Sequence, residues 1–394
     1  MTNQMNEVYV LDAVRTPFGR AGDKGIFWNT RADDLVVTIL KALAERNPGV
    51  APDEVEDCIM GATNQIGEQG GTLGRMVTML ADWGWNVPGC SLDRMCASGL
   101  TTVSYGASFM ASRMADCLVA GGVEHMGHLP MGYMRDNHPR ATEVMGGESA
   151  FSMGQTAENL HDYAPQYTKE MCDMYAYQSQ MRAKAAIEQG KNADMIVPVE
   201  TTLSDGNTQM VDTDQHPRFE TTPEKLQELK TPFRENGHVT AGNASGLNDG
   251  ACTALMISGD KARQLGVQPR MRWVASAVAA VDPKLMGVAP VPATQKVLRK
   301  AGLSMKDMDL IEINEAFAIQ VLYDLDQLGE NPEDPRINPW GGSIAYGHPL
   351  AASGPRLVAF MLNHFRENPE AKYGLTTMCV GRGQGYSVIW ENLG

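Results

Sequence analysis

An α/β protein made of two related halves is the fold class this sequence predicts, on three observations. Apolar β-like runs alternate with amphipathic helical stretches over 1–121 and again over 269–394, the pattern of a mainly parallel sheet covered on both faces. Between them, 122–249 loses that alternation and is rich in Gly, Pro, Asn and Asp. It reads as a loop-rich subdomain set into the first half, which 250–268 then completes. Finally, a helix start built from small residues occurs twice. Cys96-Ala97-Ser98-Gly99 leads on to Cys117-Leu118-Val119-Ala120, and Ala352-Ser353-Gly354 leads on to Met378-Cys379-Val380-Gly381. Two copies of one unit, packed with their sheets facing, bring both helix starts to a shared centre.

The elements follow in order. Residues 7–14 read as a buried strand, turned by Thr16-Pro17-Phe18-Gly19. Thr30, with Asp33 three residues on, predicts a capped helix whose Leu35, Val36, Ile39, Leu40 and Leu43 share a face. A strand at 56–61, a Gly-rich connection at 67–74 and a helix reaching 81 come next. A strand over 90–95, a helix over 97–115 and a strand over 117–121 close the first half. In the central stretch only 169–189 has a clear helical pattern. The second half predicts strands at 271–281, 309–313, 375–380 and 386–390, with helices at 293–301, 316–328 and 350–365.

Composition narrows the function. The 394 residues are 43% hydrophobic and 20% charged, the balance of a globular protein with more than one core. A formal charge of −14 argues against nucleic acid or an anionic membrane as the main partner. No apolar run nears the roughly 20 residues that span a bilayer, and the opening residues are polar, so a cytoplasmic protein without a membrane span is expected. Seven cysteines without paired spacing fit a reducing compartment. The 25 scattered methionines read as core filler.

The chemistry-bearing residues lie at strand ends and helix starts, where α/β proteins place reactive groups. Cys96 opens a helix, where unpaired N–H groups and the helix dipole favour a thiolate and lower its pKa from about 8.5. Asn314-Glu315-Ala316-Phe317-Ala318 joins a strand to a helix, Gly347-His348-Pro349 precedes a helix, and Cys379-Val380-Gly381-Arg382-Gly383-Gln384-Gly385 lies between two strands. A histidine supplies the base for a cysteine nucleophile, and a second thiol gives and takes a proton near neutrality. Asn314 is placed to hold a water, and the N–H groups of Cys96 and Gly381 to bind an oxyanion. Singly, each also has a plain reading: core cysteine, capping histidine, strand cysteine, helix-capping asparagine. Together they form a specific set. Gly381-x-Gly383-x-Gly385 is followed by a strand rather than a helix, which excludes a dinucleotide site. His125-x-x-His128 lacks the i, i+4 spacing of a helical metal pair, so no metal is expected.

With these residues placed, the chain resembles the thiolase family along essentially its whole length. The matching stretches begin Asp12-Ala13-Val14-Arg15-Thr16-Pro17-Phe18-Gly19, Cys96-Ala97-Ser98-Gly99, Met153-Gly154-Gln155-Thr156-Ala157-Glu158-Asn159 and Thr240-Ala241-Gly242-Asn243-Ala244-Ser245-Gly246. Asn314–Ala318, Gly341–Pro349 and Cys379–Gly385 complete the set. Val123 to Pro130 looks like the thiolase subunit of bacterial fatty-acid β-oxidation complexes.

The resemblance implies a five-layer thiolase fold, two duplicated halves with mixed sheets, and a 3-ketoacyl-CoA thiolase (acetyl-CoA acyltransferase). In that reading His348 activates Cys96 to attack the 3-keto carbon. Cys379 protonates the departing enolate and then deprotonates the incoming CoA. His348 with a water on Asn314 stabilises the enolate, and the N–H groups of Cys96 and Gly381 the tetrahedral intermediate. Ser245 is implied near the pantetheine, Arg218 near the nucleotide phosphates, and Met153, Met286 and Phe317 in the acyl pocket. Coenzyme A enters as substrate and no cofactor is needed. A homodimer or homotetramer, and a complex with a hydratase/dehydrogenase subunit, follow by the same resemblance.

Four positions depart from the family pattern. Asp93 adds a carboxylate near the nucleophile, expected to raise its pKa unless Arg94 offsets it. Ser152 stands where short-chain thiolases often carry histidine, Ala351 adds a methyl beside His348, and Arg382 replaces a commoner glycine and is expected to point outward. The alternatives are a biosynthetic acetoacetyl-CoA thiolase, an acyl-carrier-protein-dependent ketosynthase, for which a Cys/His/His set is expected, and a thiolase-like scaffold that binds CoA without turnover.

Overall fold

Strand pairing, more than chain order, decides how the two halves meet. The computed structural model describes residues 6–134, 136–203 and 205–394. The first half runs β1 (Val8–Arg15), β2 (Gly19–Arg20), α1 (Ala32–Arg46), β3 (Asp57–Gly61), α2 (Leu73–Leu80), β4 (Gly89–Leu92), α3 (Ser98–Ala111) and β5 (Cys117–His125). The excursion holds α4 (Ala141–Val144), α5 (Met153–Tyr163), α6 (Lys169–Glu188), the hairpin β6 (Val199–Thr202) and β7 (Thr208–Val211), and α7 (Pro223–Gln227). The chain re-enters the first half at β8 (Asn248–Ser258), followed by α8 (Gly259–Leu265). The second half is β9 (Met271–Ala280), α9 (Pro290–Ala301), β10 (Leu310–Ile313), α10 (Ala318–Leu328), α11 (Ser343–Tyr346), α12 (Leu350–Glu367), β11 (Tyr373–Val380) and β12 (Gln384–Asn392).

The strands lie in the order β10-β11-β12-β9-β1-β8-β5-β3-β4, with β2 alongside β8. Two residue pairs, Tyr9 with Arg272 and Val10 with Met271, join the half-sheets edge to edge into one ten-stranded sheet. The sheet is mixed rather than mainly parallel. Among the described strands only β3–β4, β3–β5 and β10–β11 are parallel. The reason is connectivity: β8 returns from the excursion antiparallel to β5 and β1, and a three-residue turn makes β11 and β12 an antiparallel hairpin. That turn holds Gly381 and Gly383, and Gly385 already belongs to β12, so a strand and no helix follows the glycine run.

Two helices form the middle layer. α3 packs on β5 and β3, and α12 packs on α3, β5, β8 and β1 while also reaching β10 and β11. α1 and α2 cover the outer face of the first half-sheet and α9 that of the second, with α10 packed on α9 and sharing its apolar cluster. This gives five layers, and α12, central among them, is buried from Leu350 to Phe365. Its Pro355 has no N–H to offer the Ala351 carbonyl four residues back. That carbonyl lies instead against Gly99 of α3 and Gly122 of β5, where an added Cβ would come within 2.2 and 2.1 Å of it. Gly99→Ala is therefore expected to force the two central helices apart and cost about 1–3 kcal/mol, read as a lowered midpoint of urea unfolding.

The sequence placed most elements within a few residues, and the differences have causes. α1 forms on the predicted face, yet Arg31 is its cap residue and makes no capping bond. The Thr30 hydroxyl is drawn off to Thr201 Oγ1, 2.6 Å away, a contact made across the fold. α3 starts at Ser98, two residues beyond Cys96, because the turn before it consumes Ala97. α5 was not expected among the loops; Ser152 caps it, accepting the Gln155 N–H. The excursion is tied back by Asp214. It pairs with buried Arg15 through 2.6 and 2.8 Å contacts and accepts the Phe18 N–H at 2.7 Å. Gln215 Oε1 accepts the N–H groups of Arg20 and Ile26. The stretch carrying His216 and Arg218 is thereby fixed to the end of β1.

Candidate active site

A tight turn between β4 and α3 delivers Cys96. Asp93 Oδ1 accepts the Met95 N–H at 2.6 Å, the Ser98 hydroxyl donates to the Met95 carbonyl at 2.7 Å, and the Arg94 N–H donates to Ser98 Oγ at 2.9 Å. Met95 is held at φ +48°, a left-handed conformation that costs a non-glycine residue about 1–3 kcal/mol and is stored where function needs it. Cys96 is buried, and the Gly381 N–H lies near enough to its sulfur to favour the thiolate. Burial pushes the thiol up to about 11, with Glu124 and Asp93 adding to the rise against the Gly381 and Cys96 N–H groups. The expected helix-start lowering is outweighed, because α3 begins too late and desolvation disfavours a thiolate. Arg94 does not offset Asp93: its guanidinium bonds Gln384 and the Tyr105 hydroxyl and lies over the Tyr386 ring. The resting nucleophile is a neutral thiol that needs a base as it reacts.

His348 is such a base. Its backbone N–H donates to Asn248 Oδ1 at 3.0 Å, and its Nδ1 lies 2.6 Å from Ser353 Oγ. That fixes the ring and leaves buried Nε2 without a protein partner among the described residues. Burial, with Arg356 adding to it, holds the imidazole neutral, down at about 3. Cys379, at the end of β11, is buried and its thiol is pushed up by desolvation and then by Cys96. A neutral thiol beside the nucleophile is the form that donates a proton.

Asn314, just past β10, is fully buried. Its Oδ1 accepts from the Ser343 hydroxyl at 2.7 Å, Ser343 Oγ in turn accepts from Arg356, and Asn314 Nδ2 is unpartnered among the described residues. The next residue, Glu315, is locked by Tyr175, Ser179, Asn338 and the Ile344 N–H. Ser343, Ser353, Asn248 and Arg356 escaped the sequence reading because none bears the chemistry itself. Their signal was position: each lies in or just after a stretch that carries a site residue.

Cys96, His348, Cys379 and Gly381 share one cavity of about 510 Å³ with Ser245, Met153, Met286 and Phe317. Eight of the ten expected site residues thus meet. Asn314 is buried and does not line that cavity, and Arg218 lies off it, beside Arg20 and His216. His216 packs against Gly246, which lines the cavity, and burial with both arginines lowers it to about 4. Arg20 is a cation the sequence reading passed over. Ser152 also lines the cavity, and Arg382 borders it while remaining exposed, in keeping with the expectation that it points outward.

Around His125 the structure gathers Glu68, His125 and His128, with ligand atoms within 4.8 Å of one another. Their ring nitrogens engage protein groups. His128 meets Glu68 Oε1 and the Trp28 carbonyl, and His125 meets the Phe27 carbonyl and the His128 N–H. The cluster pins the 27–28 and 67–69 segments to the end of β5.

Residues 8–260 match the family model described as the N-terminal domain of thiolase, and residues 267–392 match its C-terminal domain. The chain belongs to the thiolase family. A thiolase is an acyltransferase acting on CoA thioesters, so Cys96, His348 and Cys379 lie in a cavity suited to that chemistry. This thiolase is 42% identical over 405 residues to the 3-oxoadipyl-CoA/3-oxo-5,6-dehydrosuberyl-CoA thiolase of Escherichia coli, covering 99% of this chain and 100% of the relative. It is 41% identical over 396 residues to a 3-ketoacyl-CoA thiolase of Vibrio parahaemolyticus, again covering 99% and 100%. In structure it is similar to human mitochondrial 3-ketoacyl-CoA thiolase, with a TM-score of 0.89, 34% identity and coverage of 99% and 100%. The acetyl-CoA acetyltransferase of Bacillus anthracis gives the same TM-score and identity with both chains fully covered. Among the described residues no helix is long and apolar enough to cross a membrane.

Proposed function

We propose that this thiolase cleaves 3-ketoacyl-CoA with CoA, giving acetyl-CoA and an acyl-CoA shortened by two carbons. The observation that carries the reading is the meeting of two buried thiols, a neutral imidazole and the Gly381 N–H on one largely apolar wall. As His348 takes its proton, the Cys96 sulfur attacks the 3-keto carbon, and the Gly381 and Cys96 N–H groups stabilise the oxyanion. The bond between C2 and C3 breaks, the enolate of acetyl-CoA departs, and Cys379 protonates it at C2. Cys379, now a thiolate, takes the proton of an incoming CoA, whose sulfur attacks the acyl group on Cys96; the Cys96 thiolate leaves and regains its proton from His348. Asn314 Nδ2 is suited to hold a water that, with His348, stabilises the enolate oxygen.

Coenzyme A is substrate here, and the reaction needs no added cofactor: every proton moved has a donor and an acceptor among these side chains. Its pantetheine is assigned to Ser245, and its phosphates to Arg218 together with Arg20. The acyl chain is assigned to Met153, Met286 and Phe317. A homodimer or homotetramer, association with a hydratase/dehydrogenase subunit, a place in fatty-acid β-oxidation and a cytoplasmic setting are parts of the same proposal, supported by the family resemblance.

The test is thiolysis by the purified protein, following loss of substrate enolate absorbance from acetoacetyl-CoA to long chains. Turnover that rises beyond four carbons is expected. Turnover confined to acetoacetyl-CoA would assign the protein to biosynthesis, in line with the acetyl-CoA acetyltransferase among its structural neighbours. No turnover with any chain would leave a scaffold.

A further inference from the structure

We infer that Ser343 is a positioning residue for the enolate-forming step: its hydroxyl, committed by buried Arg356, holds the Asn314 amide so that the NH2 end is the one left free to donate. The inference rests on the thiolase reaction proposed above and on the water assigned there to Asn314 Nδ2.

An asparagine amide has a donor end and an acceptor end of nearly the same shape, so its neighbours decide which end goes where. The Asn314 backbone N–H donates to the Thr377 carbonyl at 2.9 Å, which sets this residue beside the end of β11 that carries Cys379. Ala316 and Phe317, just beyond it, line the cavity. Its Oδ1 accepts the Ser343 hydroxyl at 2.7 Å, and Nδ2 has no protein partner among the described residues. Turned over, the amide would leave its partially negative oxygen free next to a reaction that develops negative charge.

Ser343, which opens α11, can donate or accept, and Arg356 decides between the two. A guanidinium only donates and stays charged. This one is fully buried on α12, over the Phe360 ring at 4.8 Å from its centroid. Its Nη2 donates to Ser343 Oγ at 3.2 Å, while Nε and Nη1 have no protein partner among the described residues, where no carboxylate pairs with it either. Ser343 is thus its one hydrogen-bond acceptor there, and a buried charge does not readily release such a group. With the oxygen accepting from Arg356, the hydroxyl proton goes to Asn314 Oδ1; turning the amide over would leave that proton without its acceptor. The charge on Arg356 also polarises the hydroxyl it holds. Both groups assigned to the enolate oxygen are therefore set from one face of α12. Ser353 meets His348 Nδ1 at 2.6 Å, and Arg356, three residues on, reaches Asn314 through Ser343.

Two reactions of the same enzyme isolate the step. Thiolysis of acetoacetyl-CoA releases an enolate. Exchange of the acetyl group between acetyl-CoA and labelled CoA moves it from one CoA sulfur to Cys96 and on to another, with no C–C bond broken. Ser343→Ala is expected to lower kcat for thiolysis about tenfold or more, with KM and the exchange rate each within about threefold of wild type. Both rates come from one preparation, so loss of folded enzyme cancels in their ratio. Asn314→Ala should show the same split, and adding Ser343→Ala to it should cost at most about threefold more, because nothing is left to orient. Exchange that falls in step with thiolysis, a thiolysis loss smaller than tenfold, or a larger further loss in the Asn314→Ala background overturns the inference and leaves the thiolase reaction standing. A wild-type protein that cleaves no 3-ketoacyl-CoA takes down the proposed function and this inference with it.

Discussion

Cys96→Ala is expected to lower thiolysis by about ten-thousand-fold or more while leaving the fold intact. The nucleophile is the one group whose removal deletes the covalent route, and deletions of that kind commonly cost several orders of magnitude. Folding should tolerate it, because alanine at a buried position removes one sulfur and no hydrogen-bonding requirement beyond the Gly381 N–H that lies near it. Cys96→Ser tests the same step more finely. A serine hydroxyl fits the turn made by Asp93, Met95 and Ser98, but its alkoxide is far harder to form beside a histidine held neutral at about 3. Turnover within tenfold of wild type in either variant, measured with acetoacetyl-CoA, would remove Cys96 from the chemistry.

Cys379→Ala should cost about a thousand-fold, for a different reason. The leaving enolate would lose its proton donor and the incoming CoA its base, a general acid–base contribution that acts twice in each cycle. Burial and the neighbouring Cys96 keep the Cys379 thiol protonated, which is the state needed when the enolate departs. Alkylation of Cys96 by iodoacetamide, which asks nothing of Cys379, should continue in this variant at a rate within a few-fold of wild type. A thiolysis loss matched by an equal loss of alkylation would mean that Cys379 supports the shape of the site instead of moving the proton.

The sequence carried the order of elements, the repeat and the reactive residues, because each of these is written locally. Apolar periodicity marks α1 and α12, and Cys96, His348 and Cys379 each lie in a short stretch whose residue types already specify chemistry. What it did not carry is set by distance. Thr30 forms its bond with Thr201 instead of capping α1, Asp214 crosses to Arg15, and β8 enters antiparallel after a long excursion. The thiol of Cys96 is pushed up because solvent is excluded by residues far along the chain, a cost that no local helix-start argument contains.

The account stands or falls on an acyl group carried by Cys96. Brief incubation with acetyl-CoA or a 3-ketoacyl-CoA, an acid quench, proteolysis and mass spectrometry would locate it. The prediction is a single acyl adduct on the peptide containing Cys96, absent in Cys96→Ala and lost when free CoA is added before the quench. An adduct on exposed Cys90, or turnover with no acyl-enzyme at Cys96, would contradict it.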